Sequence, residues 1–97
     1  MNYLLDIGID KDVLKRALIN NSKQTIEDAE WNIELVVNNI YYLKSVGIEC
    51  IDKIIINRFD ILLRNNQDLQ DSINNLKDNN VIDLINKDIK YIYYLDK

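Results

Sequence analysis

The stretch YLKSVGI, residues 42–48, decides the fold, because the chain has already spelled nearly the same phrase as YLLDIGI, residues 3–9. Tyr, Leu, Gly and Ile recur in register, and Val46 answers Ile7. The chain has two glycines, and both occupy the same point of this phrase. Glycine readily adopts the left-handed backbone that closes a helix, and the apolar residue after it can fold back on the last turn. The phrase therefore predicts a short helix over residues 2–7 stopped by Gly8, and a longer one stopped by Gly47.

Working outward from the first corner, Asp10 stands as an N-cap, with Asp12 in the first turn of a helix over residues 11–20. Val13, Leu14, Ala17 and Leu18 share one face of it. Thr25 opens the dominant helix, with Asp28 at the acid position of a capping box. Ile26, Ala29, Ile33, Val36, Ile40 and Leu43 follow at spacings of three and four, which predicts one buried stripe. Run unbroken to Val46, this helix is roughly 30 Å long.

Beyond the second corner, Cys50, Ile51, Ile54 and Ile55 define a short helix ending near residues 57–58. Phe59 to Leu63 is one apolar turn, and Asn66 caps a helix buried through Leu69, Ile73 and Leu76. Asn79-Asn80 takes over the terminator role, since Asn is the next most tolerant residue of left-handed backbone. Ile82, Ile85, Ile89 and Ile92 then recur at helical spacing through Leu95, with a break near residues 86–88. Isoleucine-rich segments also suit strands. The three–four spacing and the lack of any hairpin turn decide for helix.

The reading is all-α: one domain, a small helical bundle or short α-solenoid of tandem helical hairpins, with five to six helices. Its repeat-like units span about 3–41 and 42–80, with a partial third at 81–97. Hairpins that cannot bury their own faces stack on their neighbours.

Composition narrows the function classes. Ninety-seven residues with 47% apolar and 29% charged side chains suit one small globular domain. The heavy use of Ile and Asn reads as the codon habit of an AT-rich genome. Net charge is −4, the wrong sign for a general binder of nucleic acid or anionic membrane. No apolar run is long enough to span a bilayer, and no secretory leader is evident. Cys50 is alone and forms no intramolecular disulfide, so a cytoplasmic setting is the expectation. Without histidine there is no imidazole acid–base chemistry and no His-type metal site. Two glycines build no phosphate-cradling loop. The chain is accordingly expected to be no enzyme and to carry no cofactor.

Several residues stand out as candidates for contact. Trp31, Leu35 and Tyr42 form a second stripe on the long helix, crossed by Glu27, Glu30 and Glu34. Such a stripe serves either central packing or a partner, and Trp and Tyr are the usual interface anchors. Tyr91, Tyr93 and Tyr94 crowd the C-terminal segment, where they either seal the core or mediate contact, self-association included. Lys11, Lys15, Arg16, Arg58 and Arg64, if the units stack in register, line one edge that could meet phosphate. As solvated charge they are cancelled by Asp10, Asp12 and Asp60. Cys50 reads as a small buried hydrophobe, and the pairs Glu30/Glu34 and Asp68/Asp71 as a solvated face.

The stretch YLKSVGIECIDKIIINRFDILLRNNQDLQDSINNLK resembles the repeat of mitochondrial transcription termination factor-like (mTERF-like) proteins. That repeat runs leucine, Gly-Ile, a short Ile/Leu helix, a Pro-x-apolar-Leu turn, then a helix ending in leucine. Residues 43–48, 51–55, 61–63 and 69–76 match it, with Phe59 where the family prefers Pro, and the likeness extends over about residues 3–85. The resemblance implies an α-solenoid that wraps nucleic acid with a basic concave face. Two expectations result: a non-enzymatic protein–protein interaction module, and alternatively a nucleic-acid-binding helical repeat.

Overall fold

A computed structural model describes residues 1–76 and 80–96. The chain is all-α, without a strand among the described residues. Its α-helices are α1 (Tyr3–Asp6), α2 (Lys11–Asn20), α3 (Lys23–Trp31), α4 (Ile33–Ser45), α5 (Ile51–Asn57), α6 (Asn66–Leu76) and α7 (Val81–Lys87). Among the described residues there are also two 3₁₀ helices, η1 (Phe59–Leu63) after α5 and η2 (Ile89–Asp96) after α7.

Both glycine corners close as read. Gly8 has φ +94° and Gly47 φ +101°. At the first, the Ile9 N–H donates to the Leu4 carbonyl at 3.0 Å and the Gly8 N–H to Leu5 at 3.1 Å. At the second, the Ile48 N–H donates to Leu43 at 3.0 Å and the Gly47 N–H to Lys44 at 3.1 Å. Each is the paired-bond ending of a left-handed helix cap, with the flanking Leu and Ile buried together beneath it. The repeated phrase is thus the same helix stop built twice. Asn80 supplies a third left-handed residue, at φ 55° before α7. Asn79, read as its partner in that role, lies outside the described residues.

The expected five or six helices are exceeded, because the 25–46 helix is two helices. The first starts at Lys23, not Thr25: Ser22 is its N-cap, accepting from the Thr25 N–H at 3.1 Å. It stops at Trp31, where the Asn32 side-chain amide donates to the Asp28 carbonyl at 2.8 Å. Asn competes in this way with the backbone for its own helix. Asn32 takes φ −128°, ψ 43°, and α4 restarts with the Val36 N–H on the Asn32 carbonyl at 3.0 Å.

Two further caps move by a residue or lose their bond. Asp10 precedes α2 without a side-chain cap hydrogen bond. Asn65, not Asn66, opens α6, its side-chain oxygen accepting from the N–H groups of Gln67 at 2.9 Å and Asp68 at 3.2 Å.

One core serves the whole chain. α2 packs on α5, α3 and α4 on η1, and α6 and α7 on η2. Phe59, Leu4, Ile40, Leu43, Ile54, Ile55, Ile61, Leu62, Leu69, Ile73, Ile85 and Leu95 are fully enclosed. Of the two arrangements expected, extents of 35 × 25 × 22 Å describe the small bundle and not the short solenoid.

Asparagine does much of the joining. Asn39, fully buried on α4, donates to the carbonyls of Leu62 at 2.9 Å and Arg64 at 2.8 Å, and accepts from Asn66 at 2.8 Å. Asn21 reaches the carbonyls of Ile55 and Ile56, each at 3.1 Å. Asn86 donates to the Gly47 carbonyl at 2.8 Å and accepts from the Glu49 N–H at 2.7 Å. These side chains satisfy backbone groups that short helices leave open.

Candidate functional site

The break at Asn32 makes an elbow, and the elbow turns apolar side chains outward. With α3 and α4 out of helical register, Ala29 is the buried residue of α3, whereas Val36, Asn39, Ile40 and Leu43 are those of α4. Trp31 is left 86% exposed and Ile33, read as core, 44% exposed. Tyr41, eight residues along the same α4 face as Ile33, is 54% exposed, with half-buried Val37 between them. Single exposed apolar residues are ordinary. A nearly naked tryptophan at the head of such a stripe is not.

The elbow is also where the charge lies. Residues 24–43 contain Glu27, Asp28, Glu30 and Glu34 and no lysine or arginine, while the other twelve acids are matched by the chain's twelve cations. The excess of acid over base thus falls within residues 24–43, between Lys23 at the start of α3 and Lys44 in the last turn of α4. Glu27, Glu30 and Glu34 are exposed, and Glu27 lies one helical turn from Trp31 on the same face of α3. The Met1 amino group pairs with Glu30. Asp28 accepts from Gln24 at 2.9 Å.

The stripe expected with Trp31 does not form as read. Leu35 and Tyr42 are half-buried, and Tyr42 packs against the core, where burial and then Asp71 push its hydroxyl pKa up. Ile33 and Tyr41 take their place on the exposed side. The signal for this was Asn32, a residue that breaks helices by bonding its own backbone.

The tyrosine segment is a 3₁₀ helix, so residues three apart eclipse. Ile92 and Leu95 are buried with Ile89 above them, and Tyr91 and Tyr94 stack with ring centroids 6.3 Å apart. Tyr93, exposed, stacks on Tyr94 at 4.6 Å, and a hydrogen bond with Tyr94 pushes its pKa up. Lys90 lies 5.2 Å from the Tyr91 ring centre. The three tyrosines form one cluster, two of them against the core.

Three of the five candidate cations are engaged within the chain. Arg58 makes a double bond pattern to Asp60 at 3.0 Å and reaches Asp96 at 2.7 Å. Its guanidinium holds the Asp60 carboxyl below the usual range. Arg64 donates to the Leu95 carbonyl and, at 2.8 Å, to Ser72. Arg16 pairs with Asp12 at 3.1 Å on the surface of α2. Lys11 and Lys15 are exposed on that helix. They share one face with Leu18, 44% exposed, and Ile19, 81% exposed.

Cys50 is half-buried, its thiol 3.5 Å from the Ile85 carbonyl, and burial pushes its pKa up. That is the reverse of an activated thiolate. Among the described residues no three His, Cys, Asp or Glu side chains gather as metal ligands, and no helix is long and apolar enough to cross a membrane.

No protein family, curated protein or solved structure matches this chain.

Proposed function

We propose that the chain is a small non-enzymatic protein–protein interaction module, in a cytosolic setting, whose contact surface is the α3–α4 elbow. The observation that carries this reading is Trp31, left 86% in water among the exposed Glu27, Glu30 and Glu34. Tryptophan is among the strongest interface anchors because it buries a large rigid surface at little entropic cost. A rim of one charge sign selects the partner and speeds its arrival. The chemistry that fits is an amphipathic helix presenting aliphatic anchors among lysines or arginines.

Trp31 is the chain's single tryptophan, so it reports its own burial. Titration with a designed leucine–lysine helical peptide at low salt is expected to shift its emission to the blue and shield it from a soluble quencher. Glu27→Gln with Glu34→Gln is expected to weaken the binding about tenfold, the sum of a few exposed charge contacts. Binding indifferent to both salt and these substitutions would remove the reading.

A further inference from the structure

The exposed surfaces outside the elbow include one that complements it. α2 carries Lys11, Lys15, Leu18 and Ile19 on one exposed face. The elbow carries Glu27, Glu30 and Glu34 around Trp31 and Ile33. One surface is cationic with aliphatic anchors, the other anionic with an aromatic one. Within one molecule α2 is committed through Val13, Leu14 and Ala17 to the core, against α5, and its cationic face is left exposed.

We propose that the occupant of the elbow is a second copy of this chain, docking its α2 face head to tail. The inference rests on the elbow being an interaction surface, and it names the partner. α2, at about 15 Å long, fits along the outer face of α4, which is about 20 Å. Leu18 and Ile19 cover Trp31 and Ile33, while Lys11 and Lys15 face the glutamates. Because the two surfaces differ, each docked copy leaves one of each kind free, and the contact closes into a ring or continues. Salt weakens it, since the charges lie in water until they meet.

Four samples followed by sedimentation and light scattering over a wide concentration range test this. The wild-type chain is expected to grow past the dimer with concentration at low salt and to dissociate at high salt. Lys11→Gln with Lys15→Gln removes one surface and Glu27→Gln with Glu34→Gln the other, and each variant alone is expected to associate about tenfold more weakly. All four positions are exposed, so the fold is not at stake. Mixed, the two variants retain one intact pair of surfaces and are expected to form a one-to-one dimer that grows no further. A wild-type chain that stays monomeric at every concentration overturns the proposal. So does association that both variants share undiminished. If the chain is monomeric while the leucine–lysine peptide still shifts Trp31, the partner is another protein and the module survives. If neither occurs, both readings fall together.

Discussion

At Gly47 an added methyl group would stand 3.5 Å from the Ile82 side chain, which is ordinary contact, while at Gly8 it would meet nothing within 4 Å. Space is therefore not what demands glycine; φ is. Left-handed backbone costs a residue with a side chain about 1–2 kcal/mol. Gly8→Ala and Gly47→Ala are expected to lower the denaturation midpoint by similar amounts despite their different surroundings. Asn39 is the opposite kind of residue, a polar side chain sealed in the core and satisfied by three bonds. Asn39→Leu keeps its shape and strands the carbonyls of Leu62 and Arg64, at about 1–3 kcal/mol for each buried group left unpaired. Urea titration should show a loss larger than either glycine substitution causes. The glycine corners were legible in the sequence because two copies of one phrase marked them. Asn39 was not, since nothing separates a buried asparagine from the many exposed ones by spacing alone.

Among the elements, those with strict three–four periodicity and a clear stop, α2 and α5, were readable to the residue or nearly so. The elbow was hidden because Ile33 continues the spacing of Ile26 and Ala29, and only Asn32 contradicts it. The 3₁₀ helix η2 left a different trace: Ile89, Ile92 and Leu95 fall at three and three, without the four an α-helix needs. Runs of this length are uncommon, and η2 is held from outside by Arg58 on Asp96 and Arg64 on the Leu95 carbonyl. Arg58→Gln is expected to speed amide hydrogen exchange across residues 91–95 while leaving α2 and α5 protected. Asp60, whose pKa Arg58 lowers from 3.8, contributes its stability above that value and loses it as the pH falls further. The variant should therefore be less sensitive to acid than the parent.

For the whole molecule, alkaline pH acts through the contact that ties α1 to α3. The Tyr3 hydroxyl donates to the Ala29 carbonyl at 2.9 Å, and burial, with Glu30 second, pushes its pKa from 10.0 to about 12. The unfolded chain releases that proton first. Tyr3's contribution is therefore complete below pH 10 and disappears as the pH climbs toward 12. Tyr3→Phe is expected to flatten the fall in stability across that interval, measured by denaturant titration at a series of alkaline pH values. The whole-molecule shape was the least legible feature. Which helices share a core depends on contacts such as Asn86 with Gly47 and Asn21 with Ile55, and asparagine composition alone gave no reason to place them.

Because the only indole is already bathed in solvent in the single chain, the folded protein, diluted until it is monomeric, hides little from a spectrofluorimeter that melting would reveal. A thermal ramp followed at that chromophore should trace an almost featureless line while ellipticity collapses, and someone relying on the first signal alone would mistake a well-packed chain for one that never folded.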